Sequence, residues 1–351
     1  MTETPKQSGF HMPAEWEEHS AIWLAWPHDT ISFPKLEKVE NDVVKIISAI
    51  HPHEQVELLV LDAAMQKKVE EMLTNAGVDL KKITFHIVDY MDAWMRDCGP
   101  CFLKNSTTHE TAWVKWTYNV YGNKFPNLLK DNEVMLKLRR EINARMFEPE
   151  IVMEGGAIEV NGQGTLITTE QCLLNPNRNP NLTREQIEKY LREYLGVSKI
   201  IWLKQGLFGD HTDGHIDDVA RFVSANKILC ASEDNQEDEN YSILKDCYEQ
   251  LLKTTDKDNK PFEVVKLPMA HLKYSDDKPF EAGGKAAASY TNFYIGNGVV
   301  LAPTYNDPND AKALEIIQSC FPDRKVVGID CSDIIYGGGA IHCLTQQQPG
   351  I

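Results

Sequence analysis

A short glycine-containing motif occurs twice in this chain of 351 residues. The tetrapeptide Gly-Gly-Ala-Ile fills residues 155–158 and again residues 338–341, and an apparent strand follows each copy. Polar or glycine-rich turns also precede an apparent strand or hairpin at residues 96–99, 213–215 and 288–290. The five turns are spaced by roughly 50 to 75 residues, a length that suits a strand–strand–helix–strand unit. If such units close around an axis, their turns meet at one centre, so the repeat predicts a five-unit α/β fold with a central polar site.

Strands and helices alternate along the whole chain. β-Branched and aromatic enrichment predicts strands at residues 21–26, 56–61, 83–88, 112–118, 200–203 and 326–329. Apolar spacing of three or four predicts helices at residues 36–50, 64–76, 132–145, 183–195, 241–254 and 310–319. Because no long Gly/Ser-rich or Pro-rich linker interrupts them, residues 1–351 are expected to form one catalytic domain. A doubly wound parallel sheet is the alternative arrangement that this alternation leaves open.

Composition narrows the class of partner. The formal net charge of −16 argues against nucleic acid, since phosphate binding needs clustered Lys and Arg, and it suits a small cationic molecule better. Residues 1–9 lack the basic and apolar segments of a secretory leader, and no apolar run reaches the ~18 residues of a membrane-spanning helix. Eight cysteines scattered over so long a chain indicate reduced thiols. We therefore expect a cytoplasmic protein without a membrane partner.

Two acidic turns and one histidine-rich turn carry candidate catalytic groups. His215 and Asp217 are two residues apart, so on an extended segment both side chains would face the same pocket. A structural role and metal binding are the alternatives for that pair. Asp97 and Glu154 occupy the equivalent turns of their units and should lie near the same centre. Taken singly, each acid is also a typical helix cap, turn residue or salt-bridge partner.

Cys343 follows three glycines, which permit close approach of the backbone to a substrate. A cysteine in this context is either a nucleophile or a buried residue of a strand. On a strand the adjacent His342 would point the opposite way, so the more distant His215 is the better candidate for its base.

The sequence Cys98-Gly99-Pro100-Cys101 matches a dithiol redox motif and suggests an oxidoreductase as a rival function. A redox pair of this type opens a helix, whereas the residues that follow predict a strand and a hairpin. The context therefore favours a structural role for both thiols.

Six separated motifs, in order along nearly the whole chain, resemble the agmatine deiminase family. They are Met12-Pro13-Ala14-Glu15-Trp16-Glu17, Trp94-Met95-Arg96-Asp97, Glu154-Gly155-Gly156, Asp213-Gly214-His215-Ile216-Asp217, Ser289-Tyr290 through Asn292, and Gly337 through Gln347. That family is related to the Porphyromonas-type peptidylarginine deiminases and belongs to the guanidine-modifying superfamily. The resemblance implies a pentein-type α/β propeller with pseudo-fivefold ββαβ repeats around a central active site.

The resemblance also implies the chemistry of the site. It makes Cys343 the nucleophile, His215 the general acid and base, Asp97 and Asp217 the guanidinium binders, and Glu154 the residue that orients His215. From its residue type, Trp94 either walls a channel for the methylene tail or belongs to the core, and the backbone at Gly338 and Gly339 is expected to approach the substrate.

The implied reaction is hydrolysis of agmatine to N-carbamoylputrescine and ammonia, without metal or organic cofactor, in putrescine biosynthesis. A homodimer is among the expected assemblies. Peptidylarginine and free arginine are alternative substrates, and a non-catalytic protein that binds cationic metabolites is a second rival. The chain departs from the family pattern at His211, where many members carry an acid, and at Ala340, where many carry asparagine. Both departures leave recognition of the substrate tail unassigned.

Overall fold

A computed structural model describes residues 3–274 and 284–351. Its strands are β1 His19–Ala25, β2 Gln55–Val60, β3 Ile83–Ile87, β4 Cys101–Asn105, β5 Glu110–Val114, β6 Arg145–Phe147, β7 Glu159–Val160, β8 Thr165–Thr169, β9 Lys199–Leu203, β10 Ala220–Ser224, β11 Lys227–Ser232, β12 Glu263–Pro268, β13 Tyr294–Ile295, β14 Val299–Thr304, β15 Lys325–Asp330 and β16 Gln346–Pro349. The α-helices are α1 Leu36–Ile50, α2 Ala63–Asn75, α3 Met95–Cys98, α4 Val120–Asn123, α5 Val134–Lys137, α6 Glu170–Leu173, α7 Arg184–Leu195, α8 Glu239–Leu252, α9 Asp310–Cys320 and α10 Ile341–Leu344.

The strands of the described ranges form five sheets with one recurring pattern. In β4-β5-β6, β7-β8-β9, β10-β11-β12 and β13-β14-β15, the first pair is antiparallel and the second is parallel. The remaining sheet has the order β16-β1-β2-β3, and β16 pairs with β1 in antiparallel fashion. A parallel pair needs a crossover, and helical segments supply it in each sheet. The predicted α/β class is therefore confirmed.

Local sequence explains most of the long helices. The predicted bounds of α1 match the structure, because its apolar face, including Val39, Ile46 and Ile50, is buried against the neighbouring strands. Burial of each such side chain contributes about 1.5–3 kcal/mol to folding. In α7, Thr183 and Gln186 form a capping box at the start, and Gly196 ends the helix at a φ of 69°.

The predicted helix at residues 132–145 is wrong. Residues Pro126–Glu133 form a 3-10 helix, α5 is a single turn, and the chain becomes extended at β6. The side chain of Asn132 accepts hydrogen bonds from Lys115 Nζ at 2.7 Å and from the Tyr118 backbone amide at 2.8 Å. These tertiary contacts, together with the pairing of β6 with β5, override the apolar periodicity.

Where the structure describes the chain, none of the helices is long and apolar enough to cross a membrane.

Candidate active site

Short helical turns, each placed just before or between strands, deliver the candidate catalytic side chains. Asp97 lies in α3, Glu154 immediately precedes the 3-10 turn Gly155–Ala157, and His215 precedes the 3-10 turn Ile216–Asp218. Cys343 lies in α10, which leads into β16. The turns recognised in the sequence thus bring Asp97, His215 and Cys343 into one buried cluster with Glu154 and Asp217.

Two details of local structure differ from the prediction. His215 and Asp217 are not on an extended segment, because the 3-10 turn begins directly after His215. Cys343 lies in a one-turn helix and not in a strand. In both cases a glycine with positive φ, Gly214 at 90° or Gly338 at 102°, turns the chain shortly before the residue. The directions of the His215, Asp217 and Cys343 side chains therefore follow from these turns and not from the alternation of side chains along a strand.

Asn292 holds the segment that carries Cys343. Its backbone carbonyl accepts from the amide of His342 at 3.1 Å, and its side-chain oxygen accepts from the amide of Cys343 at 3.3 Å. The Asn292 amide nitrogen also donates to Cys343 Sγ at 3.1 Å. Burial raises the pKa of the Cys343 thiol well above its usual value, and the nearby carboxylates Asp217 and Asp218 raise it further. The thiol is therefore neutral while the site holds no cation.

Asp97 is held by two donors. Its Oδ1 accepts from the Gly156 amide at 2.9 Å, and its Oδ2 accepts from the Tyr121 hydroxyl at 2.8 Å. Burial raises the Asp97 pKa to about 6; the neighbouring His215 lowers it, while Asp217 adds to the rise. The carboxylate is thus fixed in orientation at the wall of the cavity that Cys343 lines.

His215 lies between two carboxylates. Its Nδ1 is 3.8 Å from Asp97 Oδ1, and its Nε2 is 4.0 Å from Glu154 Oε2. Burial alone would lower the His215 pKa, but the charges of Asp97, Cys172 and Glu154 outweigh it and raise the pKa well above 6.5. A protonated His215 matches the role of an acid that donates to a leaving group.

Asp217 is fully buried and offers one free oxygen. Its Oδ2 accepts from His342 Nδ1 at 2.7 Å and lies 3.8 Å from Cys343 Sγ, whereas its Oδ1 has no hydrogen-bond partner in the described structure. Burial would raise the Asp217 pKa, but the hydrogen bond and charge of His342 lower it overall. Asp217 is therefore an anion beside the thiol.

Gly156 lies at the point where these groups converge. A Cβ atom at this position would lie 2.5 Å from His215 Nδ1, 3.0 Å from Asp97 Oδ1 and 3.1 Å from Asp217 Oδ2. Real Cβ atoms essentially never come closer than 3.0 Å, so the 2.5 Å contact would force His215 to shift, and the two carboxylate oxygens would have to give by a few tenths of an ångström. Glycine permits this close packing of charged groups without such shifts.

The cavity above Cys343 has a volume of about 50 Å³. Trp94 forms part of its wall and donates from Nε1 to Asp92 Oδ2 at 2.9 Å. The described residues that line the cavity are Ser32, Asp92, Trp94, Asp97, Tyr121, Phe125, Leu128, His211, Thr212, Gly337, Gly338, Gly339 and Cys343. Trp94, Gly338 and Gly339 thus line the same cavity as Cys343, and their contact with a substrate stays a prediction.

A metal ion is a weak fit to this cluster. The possible ligand atoms of Glu154, Cys172 and His215 all lie within 4.8 Å of one another. The buried Arg178, however, donates from Nε to Glu154 Oε1 at 2.8 Å and already supplies a positive charge there. A second cation beside Arg178 would be repelled, so the arrangement favours organic acid–base chemistry over metal binding.

The dithiol motif has the wrong environment for redox catalysis. Cys98 ends the short helix α3 and Cys101 begins β4, which forms a hairpin with β5. Burial raises the pKa of Cys98 well above its usual value and that of Cys101 to about 11. Reactive thiols of this class have lowered pKa values and lie at a helix N-terminus, so neither cysteine is set up for disulfide exchange.

Several residues of the site had no role in the sequence prediction. Tyr121 has a φ of 59°, a conformation that sequence patterns do not indicate. Arg178 is distant from Glu154 in the sequence, and only the fold brings the two side chains into contact. Asn292 and Glu15 belong to motifs that were recognised in the sequence, and those motifs were the available signal. The spacing of the residues did not indicate which groups the two side chains contact.

Comparison with known proteins identifies the family. A family profile described as Porphyromonas-type peptidyl-arginine deiminase matches residues 11–349. Agmatine deiminase from Ectopseudomonas mendocina is 37% identical over 369 residues, which cover 99% of this chain and 98% of that protein.

Solved structures agree with this result. Agmatine deiminase of Enterococcus faecalis, captured catalysing its reaction, has a TM-score of 0.92 and 34% identity, with 100% of this chain and 98% of that chain covered. A variant of C. jejuni agmatine deiminase with substrate bound has a TM-score of 0.86 and 30% identity, with 97% of each chain covered. Because the family profile matches residues 11–349 and full-length relatives are more than 30% identical, the chain belongs to the Porphyromonas-type peptidyl-arginine deiminase family.

Proposed function

We propose that this protein is an agmatine deiminase, which hydrolyses agmatine to N-carbamoylputrescine and ammonia. Cys343 acts as nucleophile, His215 as general acid and base, Asp97 and Asp217 as guanidinium binders, and Glu154 as the residue that orients His215. Membership of the family and full-length relatives that are agmatine deiminases support this activity.

One observation carries the proposal most directly: in the described part of the chain, the buried cluster that converges on Gly156 contains several polar atoms without a hydrogen-bond partner. They are Glu154 Oε2, Asp217 Oδ1 and both ring nitrogens of His215. Such atoms are costly unless a ligand satisfies them. A guanidinium group is planar and presents five N–H donors in fixed directions, which suits carboxylates on either side of it. The arrangement therefore fits a bound guanidinium better than a neutral ligand.

The first half of the reaction forms a covalent intermediate. Binding of the cationic guanidinium between Asp97 and Asp217 lowers the pKa of the Cys343 thiol, which releases its proton to solvent. The resulting thiolate attacks the central carbon, and a C–S bond forms. His215 donates its proton to the departing nitrogen, the C–N bond breaks and ammonia leaves. The product of this step is an amidino group on Cys343.

The second half returns the enzyme to its starting state. His215, now neutral, takes a proton from water, and the resulting hydroxide attacks the amidino carbon. The C–S bond breaks, and the proton of the added hydroxyl passes to the Cys343 sulfur as the ureido carbonyl forms. The neutral thiol and the protonated His215 are thereby restored. No oxidant or reductant is needed, because every step is addition or elimination.

The walls of the cavity favour agmatine over other guanidines. Among its described lining residues none is Lys or Arg, which the carboxylate of free arginine would need. Asp92, the lining acid that is not assigned to the guanidinium, suits a terminal ammonium better, and the face of Trp94 suits methylene groups. The small cavity also disfavours a peptide chain.

Ammonia release from agmatine, free arginine and a C-terminal arginyl peptide tests the proposal. We expect kcat/KM for agmatine to exceed that for arginine by at least about 100-fold, because a buried carboxylate without a partner is strongly disfavoured in an acidic cavity. Equal or greater turnover of arginine or the peptide would assign a different substrate. Agmatine binding without ammonia release would identify a binding protein instead.

A bound cation is expected to activate Cys343. Because burial and the carboxylates raise the pKa of its thiol, a positive charge placed between Asp97 and Asp217 should lower it again. The thiolate ultraviolet absorbance, taken as wild type minus Cys343→Ala, should therefore appear at lower pH when a non-hydrolysable cationic analogue is added. Identical titration curves with and without the analogue would contradict substrate-assisted activation.

We also infer that the five ββαβ sheets are the units of a pentein-type propeller around this site, and that residues 1–351 act as one catalytic domain. The repeated strand pattern and the convergence of the turns support this arrangement. A cytoplasmic location and a homodimer remain predictions, which cell fractionation and light scattering would test.

A further inference from the structure

A buried histidine links the guanidinium site to the N-terminal motif. His342 is 1% exposed, and its two ring nitrogens contact two different carboxylates. Nδ1 lies 2.7 Å from Asp217 Oδ2, and Nε2 lies 2.8 Å from Glu15 Oε2. The side chain therefore points away from the cavity, while Cys343, the next residue, lines it.

Each ring nitrogen of His342 faces a carboxylate oxygen. Burial would raise the pKa of Glu15, but Arg221, His342 and Arg96 outweigh burial and hold it well below its usual range. An ionised carboxylate can only accept hydrogen bonds. The two carboxylates therefore fix the orientation of the imidazole ring between them.

The far end of this contact is anchored. Arg221 donates from Nη2 to Glu15 Oε2 at 2.9 Å, and the Ile295 amide donates to Glu15 Oε1 at 2.8 Å. Arg221 itself is fully buried and donates from Nε to Glu159 at 2.9 Å. Glu15 is thus fixed by the core, and it fixes the ring of His342 in turn.

We propose that His342, held by Glu15, is a positioning residue that keeps Asp217 ionised and holds its carboxylate beside the Cys343 thiol, where the guanidinium binds. This inference rests on the proposed function, because it concerns the same substrate group. It assigns a role to Glu15 of the Met12–Glu17 motif, which is linked to the catalytic centre by the contacts Glu15–His342–Asp217, called the relay below.

The charge balance around Asp217 supports the need for such a residue. A buried carboxylate beside other acids tends to take up a proton, and a neutral Asp217 would bind a guanidinium poorly. His342 supplies the hydrogen bond and charge that oppose this tendency. The titratable and charged groups that face or act on Asp217 are His342, Cys343, His215, Arg221, Asp218 and Asp97.

Two amide substitutions test separately the two contacts of His342, one with Asp217 and one with Glu15. In His342→Asn the amide nitrogen takes the place of Nδ1 and keeps a donor toward Asp217. In His342→Gln it takes the place of Nε2, so the donor toward Glu15 remains and the one toward Asp217 is lost. Glu15→Gln removes the charge at the anchored end.

We expect His342→Gln to lower kcat/KM for agmatine by about 30-fold, mainly through KM, as for loss of one hydrogen bond to a charged group. Removing the hydrogen bond from His342 should raise the Asp217 pKa, so the acidic limb of the kcat/KM profile moves to higher pH. Activity should partly recover at alkaline pH, where Asp217 ionises again. His342→Asn should retain more activity than His342→Gln, and Glu15→Gln should shift the limb in the same direction.

His86 provides a matched control, because it too is buried between two carboxylates. Its Nδ1 is 2.5 Å from Glu141 Oε2, and its Nε2 is 2.6 Å from Glu57 Oε2, but it lies in β3 and outside the cavity. His86→Gln should lower thermal stability without changing KM or the pH profile. A purely structural role for His342 would give the same result, with less folded enzyme and an unshifted profile.

The outcomes distinguish this inference from the proposed function. Wild-type activity with equal KM values and unshifted profiles for the Asn and Gln variants would overturn the relay alone. If wild type releases no ammonia from any guanidine, the proposed function fails, and calorimetry with guanidinium chloride tests the relay by itself. Equal guanidinium affinity of the two His342 variants would then overturn it, and weaker binding by His342→Gln would support it.

Discussion

Ammonia release from agmatine is expected to fall by at least about 10⁴-fold when Cys343 is replaced with alanine, because no other group can form the covalent intermediate. Asn292 would lose its hydrogen bond to Cys343 Sγ but keep its contacts with the backbone of α10. The segment should therefore remain folded, and agmatine should still bind between Asp97 and Asp217. Coupled ammonia detection measures the loss, and calorimetry measures the retained binding.

Cys230→Ala is the appropriate control for removal of a buried thiol. Cys230 is fully buried in β11, away from the cavity lining, so its loss should lower stability by about 1 kcal/mol and leave turnover unchanged. Normal turnover by Cys343→Ala protein would refute the assignment of the nucleophile.

Gly156→Ala is expected to lower kcat/KM by about 100-fold or more, although the residue carries no reactive group. The added methyl would lie 2.5 Å from His215 Nδ1, and both Asp97 and Asp217 are also too near to accept it. His215 or the two carboxylates must move apart, which changes the distances needed for proton transfer and guanidinium binding. Steady-state kinetics should register this shift in both kcat and KM.

Gly350→Ala controls for a general cost of adding a methyl group. A Cβ at Gly350 would lie 3.3 Å from the Glu18 carbonyl oxygen, a close contact remote from the cavity. We expect a small loss of thermal stability and unchanged kinetics. If Gly156→Ala also kept wild-type kinetics, the tight convergence of charged groups around Gly156 would not matter for catalysis.

The repeat was the sequence feature with the greatest predictive value. Glycine-rich and acidic turns placed Asp97, Glu154 and Cys343 at equivalent positions, and the structure brings them together with His215. The α/β class followed from alternating periodicities, and the bounds of α1 from its amphipathic face. These features depend on local sequence, which is why they could be predicted.

The remaining features depend on contacts between distant segments. Tyr121 reaches Asp97 from a left-handed turn, and Glu15 meets His342 across 327 positions of sequence. The short helix around Cys343 follows a glycine with a φ of 102°, so the different directions of the His342 and Cys343 side chains arise from a helical turn and not from strand alternation. Asn132 likewise forms tertiary hydrogen bonds with Lys115 and Tyr118 in place of a position in the predicted long helix.

The pairing of β16 with β1 has a consequence for biosynthesis. Ser20 and Gln348, 328 positions apart, are joined by a side-chain hydrogen bond at this edge, and Cys343 lies just before β16. During translation the acids and His215 emerge before the thiol, and the first sheet lacks its partner strand until β16 leaves the ribosome. Contacts of such sequence separation slow folding, because a long loop must close before they form. A chain in which Cys343 and β16 have not yet been synthesised is thus expected to lack catalytic activity, even when the segments that carry the acids and His215 have already formed.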